Sequence, residues 1–338
     1  MTPAIFGLSG PVMTDDERDF FRDANPAGYI LFARNVENRA QLRALTDSLR
    51  EIHGRERLLV SIDQEGGRVA RMRPPEWDSY PSGEAFAKLW RVAPASAIEA
   101  ARANAEALGL DLAEAGITVD YWPVLDVREP YSHDVVGDRA LGSEPMKVAA
   151  LGRAILDGLA RAGVVGCIKH MPGHGRAQVD SHKELPIIEA SEDELEIDIE
   201  PFRTLRDAPI GMTAHVLYSA WDDERPATQS EFIINEIIRK RIGFSGLLLS
   251  DDVYMKALTG TLPERGARAL AAGCDVVLNC HGEVGDMAEV ADGLPTMSAD
   301  ARARLDAALT VKDGSPSGNH STLIAKRDAL LELARDLA

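Results

Sequence analysis

The sequence predicts an α/β fold, a single-domain (β/α)8 TIM barrel, on three observations. About eight apolar runs are spaced along the chain, at residues 4–8 or 10–13, 28–33, 58–63, 117–125, 164–169, 209–216, 246–251 and 274–279. They are apolar on both faces, as buried parallel strands are. Helical patterns fill the gaps, and strands alternating with helices demand a parallel sheet. Several helical patterns end at a glycine, and the next apolar run follows within one or two residues. Gly116, Gly163, Gly243 and Gly273 occupy that place, where a left-handed cap turns a helix back into a strand.

The first run is the weakest of the eight, which is why two placements are open for it. Residues 38–52 put Leu42, Leu45, Leu49 and Ile52 on one helical face. Residues 94–115 form an Ala-rich helix with Pro94 near its start. Ser191-Glu192-Asp193-Glu194 and Thr228-Gln229-Ser230-Glu231 read as capping boxes that open helices. Eight strand–helix units close most economically into a barrel. A doubly wound open sheet is the alternative, but no GxGxxG or GxxxxGK[ST] follows any strand. The barrel is expected over residues 1–310. A polar linker and a C-terminal helix packing on the barrel are expected over 311–338.

Composition limits what the protein does. The 338 residues carry 37 Lys and Arg against 54 Asp and Glu, a net charge of −17. Such a chain repels polyphosphate and anionic membrane surfaces, so neither nucleic acid nor membrane is an expected partner. No apolar stretch reaches the length of a membrane span. Met1 to Gly7 has neither the basic start nor the long apolar run of a secretory signal. Cys167, Cys274 and Cys280 are odd in number and lack CxxC spacing, which fits buried thiols in a reducing compartment. A cytoplasmic protein is expected, with a monomer favoured.

Barrel chemistry gathers at the C-terminal ends of strands. Here those ends are polar: Asp63-Gln64-Glu65-Gly66-Gly67-Arg68, Asp126, Lys169-His170, His215, Asp251-Asp252 and His281. Together they describe a convergent pocket. Asp251 and Asp252 are adjacent on a strand, so one of them is expected to face the mouth, and spacing does not choose between them. A carboxylate held on strand backbone suits attack on a sugar C1. The loop 171–186 is long for its place and carries Asp180 and His182 two residues apart. If locally extended, both face one way, and a carboxylate beside an imidazole fixes its tautomer and suits it to proton donation. Lys169 and His170 at a strand end need partners. Asp63 accepts from paired hydroxyls, and Arg71 and Arg139 donate in fixed forks. His215 reads either as a ligand or as a hydrogen-bonded core histidine. A metal-dependent hydrolase is the competing class, but the chain has no HExxH and no HxH pair on a strand. No metal and no cofactor are expected.

These motifs carry a resemblance. Asp63-Gln64-Glu65-Gly66-Gly67-Arg68-Val69, Lys169-His170-Met171-Pro172-Gly173-His174-Gly175, Asp180-Ser181-His182, Met212-Thr213-Ala214-His215-Val216, and Phe244-Ser245-Gly246 through Ser250-Asp251-Asp252 resemble the signature of glycoside hydrolase family 3. The likeness is to its single-domain bacterial β-N-acetylhexosaminidases of peptidoglycan recycling, and it runs from about Gly28 to Cys280. The resemblance implies a barrel without the second domain that many relatives carry. It implies retaining hydrolysis of terminal β-linked N-acetylglucosamine (GlcNAc), from muropeptides containing 1,6-anhydro-N-acetylmuramic acid. By that resemblance the nucleophile is Asp251, and His182 held by Asp180 is the acid/base. Asp63, Arg71, Arg139, Lys169 and His170, with His215 behind them, fall where relatives bind the sugar. The chain departs from the pattern at Arg73-Pro74-Pro75-Glu76-Trp77 and at Met171, where relatives often have an aromatic. A phosphorylase using the same site and a non-catalytic sugar sensor are the other readings.

Overall fold

The computed structural model describes residues 1–310 and 314–337. Eight parallel strands close into a barrel in chain order. They are β1 (Thr2–Gly7), β2 (Pro26–Leu31), β3 (Leu59–Ile62), β4 (Val119–Asp120), β5 (Val165–Met171), β6 (Ile210–Thr213), β7 (Leu247–Asp252) and β8 (Val276–Asn279). β1 pairs with β2 on one side and with β8 on the other, which shuts the ring. Of the two placements open for the first run, the strand takes the earlier one. The helices are α1 (Asp15–Ala24), α2 (Arg39–His53), α3 (Gly83–Trp90), α4 (Pro94–Glu114), α5 (Pro145–Arg161), α6 (Glu192–Thr204), a π-helical segment Ile233–Ile242, then α7 (Leu262–Ala272), α8 (Val284–Gly293), α9 (Ala299–Ala308) and α10 (His320–Leu331).

The doubly apolar strands sort their side chains by period two. In β7, Leu247 and Leu249 enter the barrel interior, while Leu248 joins the layer between strands and helices. Ile5, Ile30, Leu59, Val165, Cys167 and Ile210 fill the interior with them. Each such buried aliphatic side chain is worth about 1.5–3 kcal/mol. α9 plugs the N-terminal end with Leu305 and Ala308. With that end closed and the interior packed, the C-terminal mouth is the end of the barrel left open to a ligand.

Local signals acted largely as read. Gly116, Gly163, Gly243 and Gly273 follow their helices with φ of 76°, 81°, 81° and 118°. Leu42, Leu45 and Leu49 are buried on α2, and Asn38 caps it. Ser191 and Glu194 form the expected capping box on α6. The second expected box is corrected. Ala227–Gln229 is a 3-10 turn, and Ser230 Oγ accepts the Ile233 N–H at 3.1 Å. Thr228 is fully buried and its hydroxyl is taken by His215 instead, so it is not free to cap.

Of the expected linker, residues 311–313 lie outside the described residues. α10 packs on α4 through Leu323 and Arg327, whose Nη1 donates to Asn104 Oδ1 at 3.2 Å.

Candidate active site

A cavity of about 360 Å³ opens at the C-terminal mouth. Met212, Leu278 and Tyr121 line it from the barrel interior, and the strand ends supply its polar wall. Asp63, Arg71, Arg139, Lys169, His170, His182 and Asp251 all line it.

One wall is a buried charge network. Lys169 is 2% exposed; its Nζ donates to Asp63 Oδ1 at 2.9 Å and lies 2.7 Å from Glu65 Oε1. Arg139 grips Glu65 with two parallel bonds of 2.8 Å. Arg71 reaches Asp63 Oδ2 at 3.3 Å, and its guanidinium lies over the Phe32 ring. Its Nε is buried without a protein acceptor. Burial opposes ionisation of Glu65 and Asp63, but the cations facing them outweigh it and hold both carboxyls well below the usual range. Lys169 has three N–H bonds to give and two carboxylates that take two, which leaves one donor for a ligand hydroxyl.

The second wall is built on Asp126. Its Oδ2 accepts His170 Nδ1–H at 2.8 Å, and its Oδ1 accepts the backbone N–H of His170 and His174 at 3.1 and 2.8 Å. Burial raises this carboxyl, but His170 and the His174 N–H overcome it and lower it to about 2. Nδ1 of His170 is thereby committed, so the ring presents Nε2 to the cavity.

Asp251 sits on the opposite side, at the end of β7. Burial works to raise its carboxyl; the His215 and His170 rings and the Asp252 N–H, 2.8 Å from Oδ1, bring it below its ordinary value. It is therefore a carboxylate at neutral pH, as a nucleophile must be. Asp252 also lines the cavity, so the expectation that one of the pair faces the mouth is corrected. The two differ in use. Asp252 Oδ1 accepts the backbone N–H of Tyr254 and Cys280 at 3.1 and 3.2 Å, and burial pushes its carboxyl up to about 6.

His182 and Asp180 do not lie on extended chain; the geometry is a turn. Asp180 Oδ1 accepts the His182 N–H at 3.0 Å and His182 Nδ1–H at 2.8 Å, while the Lys183 N–H donates to the Asp180 carbonyl at 2.8 Å. A short side chain bonding backbone two residues on is what Asp does well. The result leaves Nε2 of His182 free for proton transfer over the cavity that Asp251 lines.

His215 does not line the cavity. It is fully buried; its Nε2–H donates to the Asp252 carbonyl at 3.0 Å, and Thr228 Oγ1 is 2.7 Å from Nδ1. Burial lowers its basicity, against the opposing pull of the Asp251 carboxylate. Glu65 and Asp126 were not singled out from the sequence. The signal was a carboxylate at each of those two strand ends; their partners lie 44 to 104 residues away along the chain.

Among the described residues no cluster of three His, Cys, Asp or Glu is placed to hold a metal ion. None of the described helices is long and apolar enough to cross a membrane.

Comparison with known proteins agrees with this geometry. Residues 6–310 match the family model for the Glycosyl hydrolase family 3 N terminal domain. The chain is 38% identical over 284 residues to the beta-hexosaminidase of Bordetella avium (strain 197N), covering 82% of this chain and 80% of that one. It is 36% identical over 330 residues to that of Tolumonas auensis, covering 95% and 94%. Its fold superposes on NagZ from Neisseria gonorrhoeae, solved in complex with N-trifluoroacetyl-D-glucosamine, with a TM-score of 0.88, 32% identity and 98% of each chain covered. The barrel, the acid–base furniture of its mouth and these likenesses agree: the chain belongs to glycosyl hydrolase family 3, as a glycoside hydrolase of the beta-hexosaminidase kind.

Proposed function

We propose that this chain is a retaining exo-β-N-acetylglucosaminidase, releasing terminal β-linked GlcNAc from muropeptides that end in 1,6-anhydro-N-acetylmuramic acid, in the cytoplasm. The observation that carries the reading is that Asp251 and the Asp180-held His182 line one cavity with opposite chemistry. One is an ionised carboxylate on strand backbone; the other is an imidazole whose Nε2 is left open. In the first step Asp251 bonds to the anomeric carbon as the glycosidic C–O bond breaks, and His182 gives its proton to the departing oxygen. In the second, water gives a proton to His182, its oxygen bonds to C1, and the ester to Asp251 breaks. Asp63, Lys169, Arg71 and Arg139 hold the sugar hydroxyls and the acyl group by charge-assisted bonds. The buried free thiols Cys167 and Cys274 support a reducing compartment.

The test is hydrolysis of a chromogenic β-N-acetylglucosaminide with anomer-resolved product NMR. First-formed β-GlcNAc supports the reading, and α-GlcNAc sinks it. A fluorosugar inactivator should label Asp251, and Asp251→Ala should abolish turnover while leaving the protein folded. Label on another side chain ends the assignment.

A further inference from the structure

The glycines on either side of His174 are dictated by contact. A Cβ at Gly175 would lie 1.8 Å from the Val127 carbonyl oxygen, and one at Gly173 would lie 2.9 Å from the Asp198 Cβ. The chain is cemented at this point. Tyr218 Oη donates to the Gly173 carbonyl at 2.7 Å, Ser132 Oγ donates to the Gly175 carbonyl, and Arg176 Nε donates to Asp198 Oδ2 at 2.6 Å. From this rigid stem the His174 ring is turned toward the acid/base turn.

His174 is a costly residue to place there. It is buried, its Nδ1 has no protein partner, and burial pushes the imidazole down to about 4. An apolar ring of similar size would avoid that desolvation, so packing alone does not call for a histidine. What the imidazole does is meet Ser181: Nε2 lies 3.3 Å from Ser181 Oγ. Ser181 stands between Asp180 and His182, yet its exposure is 3%, while the His182 side chain is 66% exposed. Its carbonyl accepts the Ala257 N–H at 3.3 Å, from the segment that follows Asp251. Ser181 thus fastens the turn at two points, the stem on one side and the loop of the nucleophile strand on the other. A second, smaller space of about 20 Å³ is lined in part by Asp251, His182, His174 and Ser181. That is room for a single water between the turn and the nucleophile.

We propose that Ser181 and His174 are positioning residues, and that their hydrogen bond is the catch that registers His182 against Asp251. This rests on the roles given to Asp251 and His182 above. The experiment compares wild type, Ser181→Ala, His182→Ala and the double variant, reading kcat/KM on an unactivated β-GlcNAc disaccharide and on the 2,4-dinitrophenyl glycoside, which needs little protonation. Ser181→Ala should lose about tenfold on the disaccharide, a part of the roughly 10²–10⁴-fold that general acid–base catalysis supplies, and under about twofold on the dinitrophenyl substrate. Added to His182→Ala, it should cost nothing further, because residues acting through one group are not additive. Ser181→Thr, which keeps the hydroxyl, should restore the disaccharide rate. Equal loss on both substrates, or the same loss with and without His182, would overturn the catch while leaving the acid/base role standing. If His182→Ala itself slows both glycosides equally, the assigned roles fail and the catch fails with them.

Discussion

Replacing Glu65 by Gln removes one negative charge from the middle of the buried network while keeping the side chain's size. Three contacts depend on that charge: two Arg139 bonds of 2.8 Å and the 2.7 Å approach of Lys169. The Glu65 side chain is 3% exposed, so water cannot replace it. After the change Lys169 keeps Asp63, Arg139 keeps the Val135 carbonyl at 3.1 Å, and the two share one neutral Gln oxygen in place of a carboxylate. Breaking a buried pair by removing one partner costs about 3–5 kcal/mol. Gln still offers one acceptor, so the loss belongs at the low end, about 3 kcal/mol. Urea unfolding at pH 7 reads it directly, with Glu84→Gln as the control. Glu84 pairs with Lys88 at 3.3 Å on the surface, and its loss should change stability by under about 0.5 kcal/mol. The sign with pH is also set. Burial opposes the Glu65 charge, but Arg139 and Lys169 prevail and hold its folded pKa far below 4.5. Its contribution is therefore complete above the unfolded pKa and shrinks as pH falls below it. The gap between wild type and Glu65→Gln should narrow from pH 5 downward. A loss below about 1 kcal/mol at pH 7, or a gap that widens in acid, would refute the network as a stabilising unit.

Three further outcomes follow from the site. His182→Ala should cut kcat/KM on a disaccharide by about 10²–10⁴-fold but spare aryl glycosides with good leaving groups, read by a leaving-group series. The His174 imidazole, held near 4 against about 6.5 unfolded, binds fewer protons folded than unfolded between those values. Stability should therefore rise by about 3 kcal/mol from pH 4 to 6.5 through this group, and His174→Gln should flatten that part of the denaturation profile. Prolonged EDTA treatment should leave the rate unchanged, and added phosphate should yield no GlcNAc-1-phosphate; loss restored by metal, or a phosphorylated product, would count against the hydrolytic scheme.

The eight strands are legible because a parallel strand buried on both faces must be an apolar run, and the glycine after each of four helices marks where the chain reverses. That is local information, and it was enough for the fold. The polar strand ends were legible too, for the same reason: an ionisable group where an apolar run stops stands out. What local pattern could not supply is pairing. Glu65 and Asp126 looked like features of their own loops; only the closed ring brings Arg139 and Lys169 to the first, and His170 and His174 to the second. Thr228 carried a helix-start signal that a buried histidine claimed. Asp251 and Asp252 kept the alternation argument from deciding, because the strand ends where the mouth begins and both residues line it. Residue order thus determined which groups exist and roughly at what height in the barrel they stand. Closure of the sheet decided which charges face one another, since desolvation and partnership are properties of the space between strands and not of any one of them.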